Sequence, residues 1–509
     1  MQKNVLEYLE SGALINQPEK PAITFNGESI TFRDLHGQAS ALGTLIAERT
    51  EDIKKPIAVF LPKSIETVIA DLAILYSGNF YTNLDEKSPP ERLRRLLENI
   101  NPCLIVTSAS SVDLLCEAGA ERDRILKIDE IDFSKLQSND SILNERRRTV
   151  IDTDPLCLIN TSGSTGTPKS VILNHRSTID FIDWCTDHFE FSSHDEFGSL
   201  SPLYFDIYTL ELYISLFKGS TIHLIPEQTA AFPAKLVEYL EEKKITFIFW
   251  VPTIMVNIGN LGLLDSNRLQ SLKRVFFAGE VFPTKHLNMW RRALPQATFV
   301  NLYGPIEITV DCTYYIFDRE FNDDSPIPIG FPCRNSDVFI IDEDDKLISD
   351  GRIGELCVRG SSLAMGYYNN PEQTSKAFVQ NPLNRNYPEL IYRTGDLVHR
   401  NEFGEIMFDG RKDFQIKHLG YRIELAEIEN AVLAIDEIRN ACVLYHQEKK
   451  AITLVFEASD SLTVKSIRTV LQNRLPKYML PTAFFEVSEM PRNPNGKIDR
   501  QQLAIQYTT

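Results

Sequence analysis

Short apolar runs alternate with longer amphipathic segments through most of the chain, and that rhythm leaves few folds open to it. PIAVFLP (56–62) precedes SIETVIADLAILYSG (64–78), and CLIVTS (103–108) precedes VDLLCEAG (112–119). STIHLIP (220–226), ITFIFWVP (245–252) and RVFFAG (274–279) continue the pattern, flanked by helical segments such as AKLVEYLEEKK (234–244). The short uniform runs suit strands buried on both faces, and the amphipathic segments suit the helices that cover them. The expectation is an α/β fold with parallel sheets. After about residue 325 the texture turns to strands and turns: DVFIIDEDDKLI (337–348), GELCVRG (354–360) and GEIMFDG (404–410) read as antiparallel hairpins around Asp and Gly turns. The last hundred residues hold a fresh set, with helices over 424–435 and 462–475 around the paired strands ACVLYHQ and AITLVFEA, enough for a small separate domain. GRKDFQIKHLGYR (410–422) is the expected junction, dividing a core, 1–412, from a C-terminal domain, 413–509. No internal repeat is visible.

Composition narrows the partners. The 509 residues carry a formal charge of −17 and a pI near 5.1, which argues against nucleic acid or an anionic membrane, because no basic excess is available for counterion release. A phosphate ligand would need locally placed Lys and Arg. The run Arg146-Arg147-Arg148 reads as a solvated connector rather than a docking patch. Eight scattered cysteines without a C-x-x-C read as reduced thiols, not as a disulfide framework or a zinc site. The N-terminal stretch has no apolar run fit for a signal peptide, and no run of about 18 apolar residues occurs for a membrane span. A cytoplasmic protein is expected.

The chemistry is concentrated in polar stretches. TSGSTGTPKS (161–170) approaches the P-loop pattern G-x-x-x-x-G-K-[ST], but Pro168 stands where the second glycine belongs. Proline has no N–H and a fixed φ, so the stretch can hold phosphate without folding as a Walker nest. NLYGPIE (301–307) puts a tyrosine, a Gly-Pro turn and a carboxylate at the end of a predicted strand, where open α/β sheets bind ligands. YRTGDL (392–397) ends near an Asp suited to ribose hydroxyls, GRKDFQIKHLGYRIE (410–424) supplies Arg411, Lys417 and Arg422, and PRNPNGKIDR (491–500) presents Lys497 on a rigid turn. Taken singly, Glu307 reads as a helix N-terminal acid, Asp396 as a turn residue and Lys497 as a surface charge.

In this order, TSGSTGTPKS, YGPIE, YRTGDL, GRKDFQIKHLGYRIE and NPNGKIDR together resemble the adenylate-forming superfamily, which includes acyl-CoA synthetases, luciferases and the adenylation domains of nonribosomal peptide synthetases. The resemblance runs from ITFRDL (30–35) to Arg500. It implies a large N-terminal domain of parallel-rich sheets covered by helices, with a β-barrel-like subdomain, and a small α+β C-terminal lid, the active site lying between them. It also implies a two-step reaction: a substrate carboxylate attacks the α-phosphate of ATP, pyrophosphate leaves, and a thiol then takes the acyl group. An ionised carboxylate needs no general base, so such catalysis is positioning and charge stabilisation. By this resemblance Lys497 bridges carboxylate and phosphate, Glu307 binds Mg²⁺, and Asp396 and Arg411 hold the ribose, with Tyr303 and Gly304 beside the nucleotide. Thr161, Ser162, Gly163, Ser164, Thr165, Gly166 and Lys169 face the pyrophosphate, and Asp413 is the hinge of the lid.

Tyr204-Phe205-Asp206 looks like the segment where amino-acid-activating members place the aspartate that pairs with the substrate ammonium; the alternative is that Asp206 caps a helix starting near Ile207. The other pocket positions, by resemblance, are Ile207, Leu210, Phe249, Phe276, Ala278, Leu302, Val310 and Asp311. This apolar set is similar to that of free-standing enzymes that load L-proline onto a carrier protein. Proline, or a close cyclic analogue, ranks ahead of serine, although Asp311 departs from the proline pattern and matches serine domains. Two further departures are Ile306, which replaces a threonine hydroxyl expected at the α-phosphate, and Ser170, which replaces a common glycine. Nine residues follow Arg500 and no carrier-protein motif occurs, so the expected acceptor is the phosphopantetheine arm of a separate peptidyl carrier protein. It would dock through basic lid residues such as Lys465, Arg468 and Arg474. The rival readings are an acyl- or aryl-CoA synthetase, which would lack a use for Asp206, and a binding protein that kept the fold without the activity.

Overall fold

The computed structural model describes residues 2–163, 168–348, 351–447, 449–458, 462–492 and 498–508. Two mostly parallel sheets form the core. In the first, Glu196–Ser199, Thr221–Leu224, Phe247–Trp250, Arg274–Phe277 and Thr298–Tyr303 run parallel within a nine-stranded sheet whose outer strands are antiparallel. In the second, of six strands, Leu104–Thr107, Pro56–Phe60, Phe80–Asn83 and Pro155–Thr161 are parallel neighbours, and Lys169–Asn174 closes one edge antiparallel. Both contribute to one large hydrophobic cluster. The helix Ile65–Tyr76 explains the layering: Ser64 caps it by accepting from the Thr67 N–H at 3.3 Å, and it is buried nearly all round, as a helix packed against the core on more than one side must be.

The segment after residue 325 forms the expected barrel-like unit, a five-stranded antiparallel sheet. Ser336–Ile341 pairs with Gly354–Gly360, which pairs with the long strand Leu390–Arg400, and that strand also pairs with Ile406–Arg411. The C-terminal domain is α+β. It has a three-stranded sheet, Ile438–His446, Ala451–Ala458 and Ala483–Glu486, packed on the helices Leu425–Leu433 and Val464–Arg474 around a hydrophobic cluster of its own.

Three local expectations change. YRTGDL is not a turn but the middle of the strand Leu390–Arg400. The 410–422 junction is largely a hairpin, Gln415–His418 paired with Tyr421–Glu424. Arg146 and Arg147 are not a solvated connector: Arg147 grips Glu10 through both guanidinium nitrogens at 2.6 and 2.8 Å, and Arg146 donates to the Ala47 carbonyl at 2.5 Å. They fasten the helix Asp140–Arg147 to the N-terminal segment and to the end of the helix Phe32–Arg49.

Candidate active site

A cavity of about 170 Å³ opens at the carboxyl ends of the parallel strands, where open α/β sheets bind ligands. Phe249, Ala278, Gly304, Asn160 and Thr161 line it from strand ends or the residues just beyond. The C-terminal domain closes it with the 415–424 hairpin, through Gln415, Lys417, Tyr421 and Arg422. The tip of that hairpin is sterically fitted: Gly420 has φ +82°, its N–H donates to Glu280 at 2.9 Å, and a Cβ there would come within 2.9 Å of Val251.

TSGSTGTPKS connects two antiparallel strands, with Thr161 opposite Lys169, whereas a Walker loop joins a strand to a helix. The strands that flank it therefore pair as a β-hairpin. Ser164, Thr165 and Gly166 lie outside the described residues, as does Lys497. The described parts of the loop meet C-terminal-domain residues. Ser162 donates to the Arg422 carbonyl at 2.7 Å and accepts from the Glu424 N–H at 3.1 Å. The Gly163 N–H donates to Glu427 at 3.1 Å, and Lys169 Nζ stands 3.6 Å from a Glu424 oxygen. Ser170 turns elsewhere, donating to Asn160 at 2.7 Å and accepting from Asn99, so its hydroxyl belongs to the sheet behind the loop.

Asp396 and Arg411 face each other across two strands, joined at 2.6 Å, and Tyr303 also donates to Asp396. Arg411 grips Asp413 through two further bonds of 2.6 and 2.8 Å. The ribose candidates and the hinge candidate are thus one chain of contacts. Gly304 lets this region close: a Cβ there would come within 2.5 Å of the Asp311 Cα. Glu307 is fully buried, accepting from Tyr367 at 2.7 Å and from Arg422 at 2.7 Å. Burial alone would push its carboxyl up, but the Arg422 charge and these hydrogen bonds outweigh it and hold it below the usual carboxylate range. An ionised, buried carboxylate suits a divalent cation once Arg422 is withdrawn.

Asp206 both caps a helix and lines the same cavity. Its side chain accepts from the Ile207 N–H at 3.0 Å at the start of the helix Ile207–Lys218, and it also lines the cavity. Burial pushes its carboxyl up to about 6, tempered by that N–H and by Lys417. Asp311 is buried beside it, with Oδ2 lacking any partner among the described residues. Burial, and then the charge of Asp206, hold its carboxyl well above the ordinary range. Thr309 and Val310, just before it, have φ of +55° and +63°, left-handed values that β-branched residues avoid, so the segment is held against its own preference. Ile207, Phe249, Ala278 and Val310 line the cavity, as does Ile306; Leu210, Phe276 and Leu302 form a buried layer behind it, with Phe276 packed edge-on to Phe249.

Lys417 and Arg422, the basic residues that the 410–424 stretch supplies, also line the cavity, as do Tyr421, Arg92 and Tyr478, to which the motifs assign no role. The available signal was the basic residues spaced around the glycine turn of 410–424; Arg92 and Tyr478 carried none. Of the basic residues expected on the lid surface, Lys465 and Arg468 are exposed, whereas Arg474 lies 3.4 Å from Glu91 of the core. Among the described residues no helix is long and apolar enough to cross a membrane, and no group of three or more His, Cys, Asp or Glu could hold a metal.

The chain is similar to known proteins in sequence and in fold. Residues 13–368 match the family described as AMP-binding enzyme, and residues 427–497 match the AMP-binding enzyme C-terminal domain. Zwittermicin A synthase ZmaJ of Bacillus cereus is 31% identical over 502 residues, covering 97% of this chain and 93% of that protein. Tyrocidine synthase 1 of Brevibacillus parabrevis is 31% identical over 490 residues, and there the match spans 96% of this chain but only 43% of the relative. Among solved structures, the Vibrio cholerae adenylation domain AlmE, in complex with glycyl-adenosine-5'-phosphate, superposes with a TM-score of 0.85 at 22% identity, covering 99% of this chain and 98% of that one.

Proposed function

Because the chain belongs to the AMP-binding enzyme family, the adenylate-forming superfamily, we propose that it activates a small amino acid with ATP as the aminoacyl-AMP and then passes the acyl group to the thiol of a separate peptidyl carrier protein. One observation carries this reading: a single cavity is lined by Asp206 together with Asp396, Arg411 and Ser162. Among the described residues the Asp206 carboxylate is in no ion pair, and it shares the cavity with groups suited to a nucleotide. The solved structure of a relative with glycyl-adenosine-5'-phosphate is in keeping with such a ligand.

Asp206 orients the substrate through its ammonium, which leaves the substrate carboxylate directed toward the phosphate loop. Asp396 and Arg411 take the ribose hydroxyls, and Lys497 supplies the charge between carboxylate and phosphate. When bound, Mg²⁺ would neutralise phosphate charge, with Glu307 as its protein ligand. Ile306 contributes only packing where a hydroxyl was expected.

The apolar walls fit proline, the first candidate from sequence. The Asp311 Oδ2, without a partner among the described residues, favours the second, a hydroxylated side chain such as serine, because a buried polar atom without a partner is costly and proline has no side-chain donor to offer. ATP–pyrophosphate exchange across the twenty amino acids tests this directly. Serine is expected to exceed proline and alanine, and Asp311→Ala is expected to lower exchange with serine by about 10- to 100-fold while leaving alanine nearly unchanged. A proline rate that leads the panel and survives Asp311→Ala would restore the first candidate; equal rates with propionate would remove the amino-acid reading.

pH dependence follows from Asp206. Its carboxyl, raised to about 6 in the ligand-free protein, must be ionised to pair with the ammonium, so binding is intact above that value and lost below it. The kcat/KM for the amino acid is expected to fall about tenfold from pH 7 to pH 5, measured as exchange with ATP saturating. A flat profile there would mean that Asp206 does not meet the amine.

A further inference from the structure

Asp71 is fully buried in the middle of the helix Ile65–Tyr76, among residues that are mostly apolar. Its two oxygens are used unequally. Oδ2 accepts from the Asn83 side-chain amide at 3.0 Å and from the Tyr208 hydroxyl at 2.9 Å, whereas Oδ1 has no partner among the described residues. A buried carboxyl so incompletely satisfied costs stability, and an apolar residue in its place would cost less. What Oδ2 gathers explains its presence. Asn83 ends the strand Phe80–Asn83, lines the cavity of the candidate site, and donates from the same nitrogen to the Leu203 carbonyl at 3.2 Å. Tyr208 stands in the first turn of the helix Ile207–Lys218. One carboxylate oxygen thus ties together both sides of the turn that carries Asp206.

That turn needs outside support. An ordinary N-cap has extended dihedrals and accepts from the second or third N–H of its helix, but Asp206 has φ −69° and ψ −26° and accepts from the first, that of Ile207. A second cavity, of about 70 Å³, lies against the turn and is lined by Leu203 and Tyr204, so packing leaves that side unfilled. We propose that Asp71 is a positioning residue for substrate recognition, fixing the Asp206 carboxylate through Asn83 and Tyr208 at the place where a substrate ammonium meets it. The role needs an acceptor and no charge, because Oδ2 takes both bonds. Burial pushes the Asp71 carboxyl up to about 7, tempered by those same two hydrogen bonds. A neutral carboxyl protonated at Oδ1 still accepts through Oδ2. The role rests on the proposed function, in which Asp206 pairs with an amino-acid ammonium.

Single variants of the full chain separate position from charge and from simple loss of stability. Asp71→Leu removes the acceptor, Tyr208→Phe removes one donor and keeps the ring, and Asp71→Asn keeps a carbonyl oxygen that can take both bonds. ATP–pyrophosphate exchange is measured with varied ATP and varied amino acid, L-serine or L-proline, whichever leads the panel. The KM for the amino acid is expected to rise about tenfold in Asp71→Leu and about threefold in Tyr208→Phe, with kcat and the KM for ATP within about twofold. Asp71→Asn is expected within about twofold of wild type throughout. Loss of stability alone would lower the active fraction, and so kcat, and leave both KM values in place. The same order is expected without ligand: hydrogen–deuterium exchange of residues 203–209 should quicken about tenfold in Asp71→Leu and stay near wild type in Asp71→Asn. An amino-acid KM unchanged in Asp71→Leu and in Tyr208→Phe overturns the proposal. So does Asp71→Asn falling as far as Asp71→Leu, since the group would then act through its charge. Should Asp71→Leu fold poorly, an unchanged KM in Tyr208→Phe overturns the proposal by itself. If the wild-type chain activates no amino acid, the proposed function fails; the ligand-free exchange of residues 203–209 then decides whether Asp71 holds the turn, and one rate across all variants overturns it.

Discussion

Asp206→Asn is expected to lower kcat/KM for the amino acid by about 10²- to 10³-fold while leaving the KM for ATP within about twofold. The substitution keeps the shape and the hydrogen bond from the Ile207 N–H, so the helix that starts there should remain intact. What is lost is the charge facing the cavity. Removing one partner of a desolvated charge pair costs about 2–5 kcal/mol, much of it the penalty on the ion left behind, here the ammonium of the substrate. Steady-state exchange with varied amino acid and varied ATP separates the two sites. An equal loss in both parameters would mean that Asp206 acts as a helix cap alone, and no loss would remove it from the site.

Glu307→Gln is the second large effect, an expected fall of about 10²–10³ in the adenylation rate, typical of removing a group that stabilises developing charge. The amide keeps the volume and can still accept from Tyr367, but it offers a cation one neutral oxygen in place of a carboxylate. Arg422 would also lose its buried counter-ion, and breaking a buried pair from one side destabilises by about 3–5 kcal/mol. The closed lid should loosen accordingly, detectable as faster proteolysis near residues 410–414 at unchanged secondary structure. Exchange within about tenfold of wild type would rule out Glu307 as the metal ligand.

The sheets and helices were legible because buried strands and covering helices leave opposite marks in the chain. PIAVFLP and SIETVIADLAILYSG became a strand and a helix within a residue or two of the expected bounds. The 415–424 hairpin was not, because QIKH and YRIE place charged residues at positions that point into a polar site rather than a core, so neither alternation nor apolar content marks them. Where motifs mark residues, they mark ones the fold brings together: Asp206, Asp311, Asp396 and Arg411 line one cavity. Arg92 and Glu427 are not so marked, because each resembles an ordinary helix residue; 335 positions separate them, and only the approach of the two domains makes them a pair. The same approach withdraws Arg474 from the exposed surface expected for it.

The C-terminal domain keeps its apolar residues around its own cluster, from Ile423 to Met479, and this shapes how its position responds to conditions. A motion that leaves that cluster intact hydrates little new hydrocarbon from it, so it carries little of the heat-capacity change that makes apolar contacts temperature-dependent. Its ion pairs with the core, such as Arg474 with Glu91, are governed instead by the ionic atmosphere, which screens pairs as they open into water. The contact between the C-terminal domain and the core is therefore expected to respond to salt more than to heat.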